Sequence, residues 1–484
     1  MRTPSLLLSF AVAAALVAPL AAQNPFTIGN VVVVTVTAAS TTSAISLDEY
    51  TPAGTFVQSV PLPTAPSGNN RQITIRGNAT SEGYLNVSAN GLYLTMAGYD
   101  APTGTPNASI EASTAATINR IVARIDLNGA IDTSTALADA YDGSTTFQGN
   151  VRAAVSVDGQ SFWMSGTGAG QSGGVRHVAG LGAATSTFLN QGAPTNCRVA
   201  GLYDGQLYTT SASTVYLGVC TVGTGLPTTP GQAVTLLTGF PTTGGTAAAS
   251  SYDFFWADAN TVYVADDNAP ASTVGGISKW TWNGSLWSRA YRLTVNPTPT
   301  SNWGARGLTG FTRDGVTTLW ATMNTGSGTG TVLCSITDTG PASVVNQLLA
   351  SPAGTAFRGV RYLAKPTTAL RFAASCGGTA DIKLAGNGEI GTDLRTTVSA
   401  PSSLPLVIYG VTPLGLPIDA GCACLLGQSL DVVAVSNTFT LSIPNNPALF
   451  GTTLYTQGAD LGALGGCSSP FPVTLTDYLS ITLQ

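Results

Sequence analysis

The sequence predicts an all-β fold, on three observations. Apolar residues come in short runs rich in Val, Thr, Tyr, Ile and Trp, as at 31–36, 93–96, 261–264 and 331–336, with no helical period. The runs are split by turn formers, among them 56 Gly and 27 Pro in 484 residues. Charged residues make up only 9%, against roughly 25% in an average chain. Three lysines, Lys279, Lys365 and Lys383, and a net charge of −5 argue against charged helices, coiled coils and nucleic-acid binding.

The chain opens with Arg2, an apolar run at 6–18 and Leu20-Ala21-Ala22 before Gln23. This is the order of a secretory signal peptide. No later stretch reaches 18 apolar residues without polar interruption, so no membrane span is expected. The expectation is a secreted chain, extracellular or cell-surface associated, starting near Gln23.

A divergent repeat follows. A short strand, a polar turn and a second strand with an aromatic or Leu recur from Asn86, Arg152, Arg198, Asp253 and Arg306. The starts are 66, 46, 55 and 53 residues apart, close to the period of about 40–50 residues of propeller blades. A sixth opening strand, at Arg358-Gly359-Val360-Arg361-Tyr362, has no second strand after it. Three strands near the N-terminus, at 31–36, 44–50 and 56–62, have no opening strand before them. Joined, they complete a sixth unit and leave no open sheet edge. The prediction is a six-bladed β-propeller closed by N- and C-terminal strands, followed by a small β-sandwich. The domains are 1–22 signal peptide, 23–366 propeller and 367–484 sandwich. The tail has strand-like runs at 406–409, 429–434, 438–443 and 474–483.

Cysteine use fits this division. Cys376, Cys422, Cys424 and Cys467 crowd into the tail and are disulfide candidates in an exported chain. Cys197 and Cys220 should stand two strand spacings apart, at opposite ends of one blade, beyond the reach of a disulfide. They and Cys334 are expected to be free and buried.

Two resemblances can be stated. Asn30-Val31-Val32-Val33-Val34, Ala79-Thr80-Ser81-Glu82-Gly83, Tyr99-Asp100-Ala101 and Gly307-Leu308-Thr309-Gly310 resemble stretches of secreted bacterial β-propeller proteins of unestablished activity. Asn446-Pro447-Ala448-Leu449 and Thr453-Leu454-Tyr455-Thr456-Gln457-Gly458 resemble the C-terminal β-sandwich module of exported planctomycete-type proteins. That module implies a shared export, anchoring or packing role. Neither resemblance carries a catalytic residue over.

Chemistry is sparse. His177 is the only histidine, in a third blade strand, and reads as packed or surface. Asp266-Asp267-Asn268 reads as a capped turn rather than a calcium site, and no cofactor is expected. Trp280 and Trp282, on one strand face, read as filling between blades rather than as a sugar platform. The best constellation comes from the repeat. Arg152, Arg198, Arg306 and Arg358 hold one repeat position, with Asn86 and Asp253 in the other two units. Opening strands line a propeller's channel, so these six residues should form a ring at one mouth. Four guanidiniums there would bind a carboxylate, sulfate or phosphate bidentately. Each could instead bond neighbouring carbonyls or pair with Asp253 and Glu82. The function expected is a secreted binding or structural protein that recognises an anionic glycan or a surface protein. The alternative is an extracellular lyase or hydrolase on acidic substrates, using the ring with Asp253 or Tyr252.

Overall fold

The computed structural model describes residues 24–243, 249–268, 275–293, 304–313, 315–324, 330–364, 369–372, 380–386, 388, 390–401, 403–417, 425–449, 452–462 and 473–483. The expected signal peptide and Cys376, Cys422, Cys424 and Cys467 lie outside the described residues.

Nearly all described elements are strands, and the first three quarters of the chain form six four-stranded antiparallel sheets. Five of these use consecutive strands. Their first strands are Asn86–Val87, Asn150–Val155, Cys197–Tyr203, Ser251–Asp258 and Gly304–Arg313. The sixth is composite, in the order Thr355–Tyr362, Val31–Thr37, Ile45–Tyr50 and Phe56–Pro61. Its register pairs Val31 with Tyr362 and Val33 with Val360. Val31, Val32, Val33 and Val34 are all buried, so this strand is covered on both faces. That explains an unbroken valine run where a half-buried strand would alternate.

The first strand of each sheet lies against the first strand of the next. The Thr355–Tyr362 strand, from the composite sheet, also lies against Asn86–Val87. At that junction the Gly359 amide donates to the Gly83 carbonyl at 2.9 Å. A Cβ on Gly359 would stand 2.3 Å from the Leu85 nitrogen, so glycine alone permits the approach. Further out, aromatic rings fill the space between sheets. Trp320 stacks on Tyr362 with centroids 5.0 Å apart, and its Nε1 donates to the Pro52 carbonyl at 3.0 Å. Trp256 stacks on Tyr203 at 4.9 Å.

A polar tie joins the sheets that start at Ser251 and Gly304. Asp338 accepts from Lys279 Nζ at 2.9 Å, from Tyr291 Oη at 2.7 Å and from Tyr263 Oη. Burial works to raise the Asp338 carboxyl, but the bonds from Lys279, Tyr263 and Tyr291 outweigh it and hold it below the ordinary carboxylate value.

From residue 369 the strands form separate sheets. One has five strands, in the order Ala369–Phe372, Val473–Thr482, Thr453–Leu461, Leu404–Gly410 and Val432–Ala434. A second has three, Asp381–Ala385, Asp393–Ser399 and Thr438–Ser442. Val398 of the second packs with Val407 and Tyr409 of the first, beside Phe439 and Leu441, so the two share a core.

Two details depart from the sequence reading. A five-residue helix, Asn107–Glu111, follows Pro106. Cys197 and Cys220 stand near the same end of their sheet. Cys197 pairs with Ser211, which pairs with Gly218, two residues before Cys220. The two strands are still separated by a third, and Cys197, Cys220 and Cys334 are buried with free thiols. Among the described residues no helix is long and apolar enough to cross a membrane.

Candidate functional site

Four arginines owe their position to a repeated irregularity. Five of the six innermost strands carry a register shift against their partner, each with one extra residue on the inner strand. The shifts fall between Val151 and Ala153, Cys197 and Ala200, Ser251 and Phe254, Ala305 and Gly307, and Phe357 and Val360. Such a bulge turns a side chain out of the pleat. The residues held in the shifts are Arg152, Arg198, Tyr252 with Asp253, Arg306 and Arg358.

Two neighbouring tyrosines stand among the four arginines. Arg198 Cζ lies 3.9 Å from the Tyr252 ring centroid, a cation–π contact. Tyr252 and Tyr84 have centroids 5.9 Å apart. Tyr84, 1% exposed, is within electrostatic reach of all four arginines. Burial, and then the neighbouring Arg198 charge, lower Arg152 to about 10. Burial, and then Arg306, lower Arg358 to about 10. Burial chiefly raises Tyr84 well above the usual phenol value, so at neutral pH it is an uncharged hydroxyl.

The partners of these arginines are few. Arg152 Nη1 donates to the Cys197 carbonyl at 2.9 Å and to Asn196 Oδ1. Arg358 Nη2 donates to the Gly77 carbonyl at 2.6 Å, and its Nη1 to the Phe357 carbonyl at 3.4 Å. Arg306 Nε lies 3.5 Å from Asp267 Oδ2. Among the described residues, Arg152, Arg198 and Arg358 form no ion pair. Buried Nε of Arg152, Nε and Nη1 of Arg198, and Nε of Arg358 have no hydrogen-bond partner. Each such orphan costs about 1–3 kcal/mol, more on a charged group. The arrangement is therefore a cluster of cations with spare donors and too few acceptors.

Asn86 and Asp253 do not complete this layer; they belong to a second one, organised by Arg361. Arg361 Nη1 and Nη2 bond Asp253 Oδ2 and Oδ1 at 2.6 and 3.0 Å. Its Nη2 also donates to Asn86 Oδ1 at 2.8 Å, and its Nη1 to the Leu308 carbonyl at 2.8 Å. Asn86 Nδ2 donates to the carbonyls of Ala154 and Ala200, at 2.9 and 3.2 Å. The Leu308 amide donates to Asp253 Oδ2 at 3.0 Å. Three side chains thus tie all six innermost strands together. The sequence reading aligned Asn86 and Asp253 with the arginines. Tyr84, two residues earlier, and Tyr252, one earlier, stand there instead. Tyr84 and Arg361 are site residues that the repeat pattern does not mark.

Other candidates are accounted for by packing. Glu82 binds Arg76 and Tyr99, not the arginine layer. His177 is buried with its ring 5.2 Å from Trp163, and burial lowers its pKa. Asp266 accepts from the Ser250 amide and from the amide and side chain of Asn268, closing a turn. Trp280 is half-buried and stacked on Phe240 at 4.0 Å, beside a cleft of about 460 Å³ also lined by Leu217 and Trp287.

No protein-family model matches this chain, and no curated protein matches it. Among solved structures, Trypanosoma rangeli sialidase with the inhibitor DANA aligns over 96% of this chain and 91% of its own, with TM-score 0.39 and 11% identity. The exo-β-1,3-galactanase of Phanerochaete chrysosporium with galactose aligns over 92% and 99%, with TM-score 0.31 and 11% identity. The GH32 β-fructofuranosidase of Bombyx mori with sucrose aligns over 83% and 89%, with TM-score 0.29 and 10% identity. A likeness this weak says nothing of what the present chain binds.

Proposed function

We propose that the chain is a secreted six-bladed β-propeller, closed by its N- and C-terminal strands and followed by a β-sandwich, and that it binds an anionic extracellular glycan through Arg152, Arg198, Arg306 and Arg358. The sandwich serves to display or retain it. The observation that carries the binding role is the set of buried guanidinium donors without acceptors. A carboxylate or sulfate supplies two or more acceptor oxygens and the missing counter-charge, where bidentate geometry suits arginine. Closure is supported by the Val31–Thr37 strand pairing with Thr355–Tyr362 and by the run of contacts between successive innermost strands.

Titration with inorganic sulfate and with galacturonate oligomers tests this. Both should bind the wild type and raise its unfolding temperature by mass action. Loss of one charge-assisted bond, at about 1.5–3 kcal/mol, should weaken binding roughly 10-fold or more in Arg152→Gln and in Arg358→Gln. Unchanged affinity in both variants would overturn the assignment.

A lyase or hydrolase at the same place is the second reading, because Tyr252 lies against Arg198 and offers a hydroxyl there. Asp253 is not free for such a role, since Arg361 and the Leu308 amide engage it. Product release from the galacturonate oligomers would favour this reading over simple binding.

A further inference from the structure

We infer that the arginine layer is the floor-bound end of a blind cup, so that it receives the terminal residue of an anionic chain and not a segment threaded through the channel. This rests on reading the arginine layer as an anion site.

Two layers stand in sequence along the same innermost strands. On the Thr355–Tyr362 strand, Arg358 precedes Arg361 by three residues, a rise of about 7 Å once the extra residue of the bulge is discounted. Asp253 follows Tyr252, and Asn86 follows Tyr84 by two. The second layer therefore lies deeper along the direction in which the innermost strands run.

That second layer bars the passage. Arg361 reaches from its own strand to Asp253 on a strand two sheets away, and to Asn86 on the neighbouring sheet. Asn86 in turn reaches Ala154 and Ala200, on the next two sheets. Asp253 is 0% exposed. A chain passing this level would have to break the bidentate ion pair and leave a buried carboxylate unpaired. Among the described residues, no side chain on the arginine side bonds across to a strand two sheets away, though the spare donors there are themselves buried. There Arg306 has a side chain 14% exposed, and the spare donors of Arg152, Arg198 and Arg358 have no competing carboxylate.

The ligand chemistry is an oxyanion, which could be a free ion or the end group of a polymer. Three probes separate these: inorganic sulfate, trigalacturonate, and polygalacturonate at the same total uronate concentration. Calorimetric titration of the full chain should show trigalacturonate binding best, with the advantage over the polymer set by the ratio of their chain lengths, because only ends count. Arg198→Gln should weaken trigalacturonate and sulfate together. Equal affinity per uronate, or preference for the polymer, would overturn chain-end recognition while leaving the anion site in place. Binding of sulfate with no binding of either uronate probe would do the same. Absence of binding by all three would instead overturn the anion site itself.

Discussion

Replacing Arg361 with methionine is expected to destabilise the protein by roughly 3–5 kcal/mol, the cost of stripping a buried charge of its partner. The guanidinium makes the only ion pair of Asp253 among the described residues, and Asp253 is fully buried. The same side chain holds Asn86 and the Leu308 carbonyl. Its loss therefore loosens three strands at once and leaves a carboxylate with only the amides of Leu308 and Phe254. Urea unfolding measures the effect. A double variant, Arg361→Met with Asp253→Leu, should recover part of the loss, because no uncompensated charge remains. A single variant within about 1 kcal/mol of wild type, the range of an exposed ion pair, would show that the pair is solvated and does not close the channel.

Removing the Glu82 carboxylate is expected to have an effect of the same size, roughly 3–5 kcal/mol in Glu82→Ala. Glu82 is 0% exposed. It accepts from the Arg76 amide at 2.9 Å, from Arg76 Nε at 2.8 Å and from Tyr99 Oη at 2.6 Å. Arg76 is itself buried and would keep only Glu111 as an ionic partner. The network also reaches the site. Tyr99 Oη accepts from the Val151 amide at 3.2 Å, and Val151 begins the bulge that presents Arg152. Glu82→Gln keeps one acceptor oxygen and should lose less than Glu82→Ala by the same urea measurement. Equal stability of wild type and Glu82→Ala would contradict the network.

Much of this architecture was legible in the residues. Valine runs and Asp-Gly turns mark strands because backbone preference and burial agree there. The orphan opening strand at Arg358 and the headless strands at 31–62 pointed to each other, and the register joins them. The arginines stand out because one residue type recurs at one repeat position. The error over Asn86 and Asp253 has a physical source. The first strand of that unit is only Asn86–Val87, too short to show its phase, and a bulge shifts phase by one residue with no sequence mark of its own. Arg361 carries no such mark, because its partners come from separate strands, which spacing along the chain does not reveal. Asn107–Glu111 escaped notice because a one-turn helix carries no periodic signal, and Pro106 supplies no side-chain cap.

The central claim is that Arg152, Arg198 and Arg358 hold their spare donors for an anion. The most direct measurement is a crystal soaked in selenate and located by selenium anomalous scattering. A peak with oxygens at hydrogen-bonding distance, about 2.7–2.9 Å, from the Nε atoms of Arg152, Arg198 and Arg358 is the result predicted. An empty map at that place, with those nitrogens turned onto protein carbonyls or carboxylates, would contradict it.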